Sequence, residues 1–442
     1  MNLEKQTHNP PQKKVDRLLV GHFHVGHQRT YEELIGKLAH AYDIDFFTFS
    51  EEDINLSNRT INGRFWDCSK QVFIEKIVRF PDIIDHFPNK GIEDPRFVAL
   101  RNECICTPLD YFKNKIKTDA MIIRAGLGDY MIETLMFQDI ENIDTVLGKY
   151  KSVILKPPRG GGGRGIYTLR KKENNYYMNT GFETIQLQSY EFDQYRNEFY
   201  EKGYLVQPLL NFKTQDGVPY DVRMHIHRGE DGKWKFIGML IRVGSKYGVR
   251  SNLTQGGFYV SSSKLHQTKG MMHFFKEYVS AEDAESIIAR LVHFAEIAPQ
   301  QIQKECKHEI NQIAFDLGID RNDKCKLYII EMSGFCAIPS AVAAELSYAK
   351  FAYWKHVAKD FERYMKIQQR HYKRKYPAEK DDIKKLEDTV SAQKVEITSL
   401  VTKNKELLNE LKSHKNLLNT MKNSHSWKVT TPLRFIKNIS KK

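Results

Sequence analysis

The chain is poor in several things, and each scarcity narrows what it can be. Nowhere in its 442 residues is there an uninterrupted apolar run of 18. Such a run is what a membrane-crossing helix requires, so none is expected. The first 14 residues are polar, which predicts no signal-peptide core and a cytoplasmic location. Six cysteines (Cys68, Cys104, Cys106, Cys306, Cys325 and Cys336) match neither a disulfide framework nor a zinc site, so reduced thiols are expected. Cys104 and Cys106 stand too close for a metal pair, and no internal repeat is present. The net charge of +13 is also scarcer than it looks. Residues 351–442 hold 22 Lys and Arg against 10 Asp and Glu, a net of +12, which leaves +1 for residues 1–350. A nearly neutral body argues against nucleic acid as a partner. The basicity belongs to a tail suited to an acidic surface or polymer.

What is abundant, locally, is glycine. The apolar run Ser152-Val153-Ile154-Leu155 delivers Lys156, and Gly160, Gly161, Gly162, Gly163 and Gly165 follow. Without Cβ atoms such a loop can fold its N–H groups around an anion, and a lysine at its base adds a point charge for a phosphate. A plain surface loop is the alternative. No Gly-Lys-Ser/Thr closes the segment, so it is not the Walker pattern.

The downstream sequence favours the anion reading. Tyr220-Asp221-Val222-Arg223 opens an alternating strand that runs through Met224-His225-Ile226-His227. After a Gly229-Glu230-Asp231-Gly232 turn, Trp234 to Val243 reads as its partner and carries Arg242. Arg250-Ser251-Asn252-Leu253 supplies a cation and an amide. Ala314 to Asp320 and Leu327 to Ser333 read as a strand pair on which Asp316 and Glu331 face each other, an oxygen pair able to hold Mg²⁺.

This order of parts resembles the ATP-grasp superfamily, in particular the branch of spore-coat-associated proteins of the YheC/YheD type and the amino-acid ligases that extend ribosomal-protein tails. The resemblance covers roughly residues 15–350. It implies an α+β fold in which two subdomains grip ATP, preceded by a small α/β domain. Lys156 and the glycine loop match the family's mobile phosphate lid. Tyr204-Leu205-Val206-Gln207-Pro208 resembles the hinge strand that meets the adenine, and Gly63 to Asp85 looks like the linker before the grasp module. Arg223, Arg242, Arg250 and Asn252 match positions that hold phosphate and substrate. Asp316, Glu331 and Ser333 match the Mg²⁺ ligands, with ATP and Mg²⁺ as the implied cofactors.

The implied reaction joins a carboxylate to an amine. A carboxylate acylates poorly because its leaving oxygen is too basic, whereas the acyl phosphate made from ATP reacts readily. Cations and loop N–H groups around the transferring phosphoryl supply the stabilisation, and closure of the loop excludes water. The chain departs from the pattern at Ser333, which stands where the family's Glu-x-Asn places an amide oxygen. A shorter, weaker donor there predicts a metal held less tightly or with an extra water. Two other readings stay open: a nucleotide-binding scaffold without turnover, and a kinase of a small molecule or sugar on the same fold.

The remaining segments complete the expected plan: an α/β domain at 15–95, the grasp domain at 96–350, a basic helical linker at 351–380, a coiled coil at 381–422 and a basic aromatic tail at 423–442. Arg17 to Gly21 and Ile44 to Phe49 read as strands flanking a helix over Tyr31 to Tyr42, and Ala281 to Glu305 as a packing helix. His22, His24 and His27 invite a metal reading, but alternating His-Phe-His before a glycine is more often a loop edge. From Ile383 to Met421 the heptad a positions are Ile383, Val390, Ile397, Asn404, Leu411 and Leu418; the d positions are Leu386, Gln393, Leu400, Leu407, His414 and Met421. This pattern predicts a coiled-coil homodimer, with an amphipathic helix packed on the body as the fallback. The ending, Ser424-His425-Ser426-Trp427-Lys428-Val429-Thr430-Thr431-Pro432-Leu433-Arg434-Phe435-Ile436, resembles one found in bacterial surface-polysaccharide glycosyltransferases. It suits an anionic membrane face or glycan machinery, and a floppy basic terminus is the alternative.

Overall fold

The computed structural model describes residues 17–24, 29–88, 94–108, 112, 114–158, 164–181, 183–245, 258–262, 269–306, 309–334, 340–375, 399, 403–421 and 423–424. The chain divides into two units, residues 1–371 and 372–442. The first contains three sheets, and their strands follow one another in chain order.

The first sheet comprises β1 (Leu18–Phe23), β2 (Ile44–Phe49), β3 (Ile54–Asn55), β4 (Thr60–Asp67), β5 (Val72–Arg79), β6 (Ile83–Phe87) and β7 (Ile105–Pro108). Its order is β3-β4-β2-β1-β6-β7, with β5 paired to β4. The buried strands β1, β2, β6 and β7 run parallel, and helix α1 (Arg29–Ala41) makes the first crossover. Helix α2 (Pro95–Glu103), capped by the Asp94 carboxylate accepting from the Arg96 N–H, packs on one face through Phe97 and Leu100. Segment 63–85, expected as a linker, is instead part of this sheet. Val72, Phe73, Ile74, Ile77 and Val78 are β-branched or aromatic, and all of 72–79 pairs with 60–67 as a hairpin.

Of the three histidines, the described His22 and His24 have different partners. His22 lies buried against Asp85, whereas His24 contacts Glu32; His27 lies outside the described residues. A different trio, His22, Asp85 and His86, does bring its ligand atoms within 4.8 Å. However, the Lys350 Nζ lies 2.7 Å from Asp85 Oδ2 and 3.1 Å from His86 Nε2, so an ammonium stands where a metal cation would sit.

The second sheet comprises β8 (Leu135–Met136), β9 (Ser152–Lys156), β10 (Tyr167–Lys172), β11 (Asn175–Asn179), β12 (Thr184–Leu187) and β13 (Leu205–Pro208), in the order β12-β11-β10-β9-β13-β8. Helix α3 (Lys115–Ile122) precedes it, and α4 (Ile143–Tyr150) and α5 (Ser189–Glu201) cover it through Ile143, Leu147, Phe192 and Phe199.

The third sheet is antiparallel: β14 (Tyr220–Arg228), β15 (Trp234–Val243), β16 (Phe258–Ser262), β17 (Gln312–Asp320) and β18 (Lys326–Ser333), in the order β16-β15-β14-β17-β18. Helices α6 (Lys269–Phe274) and α7 (Ala284–Glu305) bury its apolar face. Alternation decides what each face carries. Val222, Met224 and Ile226 join the α7 core, which turns Asp221, Arg223, His225 and His227 to the other side. Helices α8 (Ser340–Lys359) and α9 (Phe361–Lys375) return to the first sheet, where Phe351, Trp354 and Tyr364 pack with Val20, Ile35 and Ile83. Gln368 pins α9 there: its amide donates to the Arg101 and Cys104 carbonyls, and its oxygen accepts from the Cys106 N–H.

Candidate nucleotide site

The polar face of the third sheet is organised by register. Arg223 on β14 stands opposite Asp316 on β17, and Asp316 opposite Glu331 on β18. Three chemically different side chains therefore share one row. Arg223 donates from Nε and a terminal nitrogen to the two Asp316 oxygens at 2.7 and 2.8 Å. In the neighbouring row Arg242 grips Asp221 in the same bidentate manner, at 2.6 and 2.7 Å, and reaches Asp316 Oδ2 at 2.8 Å. Planar guanidinium forks match carboxylates geometrically, which makes these bonds stronger than neutral ones.

The charges follow from this packing. Burial opposes ionisation of Asp316, but Arg223 and Arg242 overcome it and hold the carboxyl well below the usual range. Burial also disfavours the Arg242 cation, yet Asp316 and Asp221 push its pKa up. His225, next along the same face, is pushed down to about 3 by burial and by Arg223, so its imidazole is neutral at physiological pH.

The second sheet brings Lys156 to the site at the end of β9. Its side chain is buried, and burial, aided by repulsion from Lys115, lowers its pKa to about 8. Asp119 and Glu331 pull in the opposite direction. Among the described residues no carboxylate lies within ion-pair distance of the Lys156 ammonium. A buried cation lacking a direct counter-ion is a site for an anion, since an uncompensated charge is costly to bury. Gly165 follows the loop at φ +70°, and a Cβ there would lie 3.1 Å from the Tyr204 hydroxyl, so glycine is required on both counts. Gly160, Gly161, Gly162, Gly163, Arg250 and Asn252 lie outside the described residues.

Gln207 is buried in β13, but its amide is committed to the Thr134 hydroxyl at 2.7 Å. Strand β8 pairs only with Leu205 and Val206, whereas Gln207 is paired on the other edge of β13 with Ile154 of β9. Ser333 ends β18 opposite Ala314, on the same face as Glu331.

Two residues that the sequence reading passed over join the site. Lys115 and Asp119 are four apart on α3, hence on one side of that helix. Lys115 Nζ lies 3.8 Å from Glu331. Burial raises the Asp119 pKa, while Lys156 and Lys115 lower it. The i,i+4 spacing after the Asn114 cap was the available signal; the contact with a strand more than 200 residues later was not.

A buried lysine just before the glycine-rich segment of the sequence, a carboxylate pair on adjacent antiparallel strands and a second lysine from a preceding helix act on one another electrostatically. The sequence profile described as YheC/D-like ATP-grasp matches residues 109–345, slightly more than half of the chain. The chain belongs to that ATP-grasp family. It is 25% identical over 253 residues to the endospore coat-associated protein YheC of Bacillus subtilis (strain 168), covering 52% of this chain and 67% of that protein. To YheD of the same strain it is 24% identical over 300 residues, 64% of this chain and 62% of that one. The chain thus spans about two thirds of each relative. Solved structures with a similar arrangement include N5-carboxyaminoimidazole synthetase from Staphylococcus aureus complexed with ADP (TM-score 0.44, 12% identity, 76% of this chain and 77% of that one). Another is D-alanyl-alanine synthetase A from Vibrio cholerae O1 (TM-score 0.44, 10% identity, 80% and 99%). Likenesses this distant carry no argument about the chemistry of the site.

The donor set fits the cofactors the family implies. Lys156 and Lys115 suit phosphate oxygens. Glu331 and Asp316 offer the hard oxygens that Mg²⁺ prefers, Glu331 more freely because Asp316 already accepts three guanidinium bonds.

Proposed function

We propose that this protein is an ATP- and Mg²⁺-dependent ligase that joins a carboxylate to an amine. The observation that carries the reading is the buried Lys156 ammonium, without a direct counter-ion among the described residues and close enough to Glu331 to feel its charge. Lys156 and Lys115 hold the phosphates. Arg223 and Arg242, fixed by Asp316 and Asp221, present cationic guanidinium groups along the row where charge develops during phosphoryl transfer. Glu331, Asp316 and Ser333 are the oxygens that would hold the metal, which when bound neutralises phosphate charge. Closure of the segment around Gly165 keeps water from the acyl phosphate. The test is ADP release by the purified protein against panels of acids and amines. Release that needs one acid together with one amine supports the ligase. A stable phosphorylated product formed without an amine would make it a kinase instead.

A second reading, a nucleotide-binding protein without turnover, draws on Asp316 being held by two arginines and on Ser333 in place of an amide. Binding of ATP with no ADP release under any pairing would favour it. A glycan precursor as substrate is a narrower proposal, supported by the likeness of residues 424–436 to the endings of surface-polysaccharide enzymes. Those residues lie outside the described structure, apart from Ser424. Among the described residues no helix is long and apolar enough to cross a membrane.

A further inference from the structure

The second unit carries a feature that the nucleotide site does not use. Residues 403–421 form one helix, exposed on every side. Leu407, Leu408, Leu411, Leu417, Leu418 and Met421 are each more than half exposed. Helices in proteins draw most of their stability from packing an amphipathic face, and one that displays six large apolar side chains needs a cover.

We propose that this cover is the same helix of a second copy of the chain, in parallel and in register. Three observations select that occupant. First, the apolar residues follow a heptad: Leu411 and Leu418 at a, Leu407 and Met421 at d, with Leu408 at e and Leu417 at g widening the seam. Second, charge is complementary across a parallel pair of copies. In a parallel pair Glu410 at g meets Lys415 at e of the second copy, five residues on, and the reciprocal contact repeats by symmetry. Third, Asn404 occupies an a position, where its amide pairs with its own counterpart in a two-stranded parallel coil and penalises other registers. The earlier heptads, from Ile383 to Thr402, lie outside the described residues, apart from Ser399.

The full-length chain should sediment and scatter light as a species of twice the 51.7 kDa chain mass. Leu411→Glu combined with Leu418→Glu should halve that mass while leaving the ATP-induced rise in melting temperature unchanged. Orientation is read by oxidation of cysteines introduced one at a time into a chain whose exposed Cys68 is replaced by Ser. Leu418→Cys should give a disulfide dimer linked at that residue, identified by peptide mass, and Asn409→Cys at the outer f position should not. The proposal is overturned by a wild-type chain of monomer mass, by a trimer or tetramer, or by a double variant that stays dimeric. Cross-linking at Asn409 but not Leu418 would equally overturn it.

Discussion

Asp316 and Glu331 face each other on paired strands yet do different things, and substitution separates them. Asp316 neutralises Arg223 and Arg242; removing its charge takes the carboxylate opposite the half-buried Arg223 and leaves the buried Arg242 with Asp221 alone, at a cost of about 3–5 kcal/mol. Asp316→Asn should therefore lower the melting temperature strongly. Glu331 is partly exposed, and among the described residues its one ion pair is the 3.8 Å contact to Lys115, so Glu331→Gln should shift stability by less than about 1 kcal/mol while abolishing ATP turnover. Equal destabilisation by the two would contradict this division. Lys156 makes a prediction of unusual sign. Its folded pKa, about 8, lies below the unfolded value near 10.5, so between those values the unfolded chain binds more protons and stability rises with pH. At neutral pH the buried charge costs roughly 3 kcal/mol, and Lys156→Met should raise the melting temperature of the nucleotide-free protein. Nucleotide affinity runs the other way, falling as pH climbs through about 8 and the ammonium is lost; titration calorimetry between pH 7 and 9 reads that slope.

Elements were legible where pattern alone decides them. Alternation in Tyr220–Arg228 and Gln312–Asp320 gave strand and face, but the turn at 321–325 alone sets Leu317 opposite Ile329, and it takes a bulge between Asp316 and Leu317 to bring Asp316 opposite Glu331. The same logic was available for Val72–Arg79, whose apolar residues were read as a linker because the resemblance placed one there. Lys115 and Asp119 were hidden for a different reason: their role depends on α3 meeting β18, a long-range contact that no local pattern encodes. Gly165, which ends the glycine-rich segment, has the sharpest local test. Gly165→Ala places a Cβ at φ +70° and against the Tyr204 hydroxyl, costing about 1–2 kcal/mol in backbone strain. ATP affinity should drop several-fold with the core intact, as read by unchanged near-ultraviolet circular dichroism; unchanged affinity would show that the lid tolerates the strain.

At the scale of the molecule, the grasp assembly and its preceding α/β domain form one unit that ends near His371, with α8 and α9 packed back on the first sheet. A chain ending at Lys375 should keep both α9 and the nucleotide site, and its melting temperature should respond to Mg-ATP as the full chain does. Loss of that response on truncation would mean that the second unit completes the site. In the reading proposed above, a buried lysine with no carboxylate within ion-pair distance among the described residues makes this unit a nucleotide receptor. The most direct measurement is a thermal-shift titration with Mg-ATP on the wild type and on Lys156→Met. A ligand bound at a hundred times its dissociation constant adds about 2.7 kcal/mol of stability. The account predicts a magnesium-dependent rise in the wild type and a variant that starts higher but does not respond. A wild type without a shift, or a variant that responds equally, would contradict it.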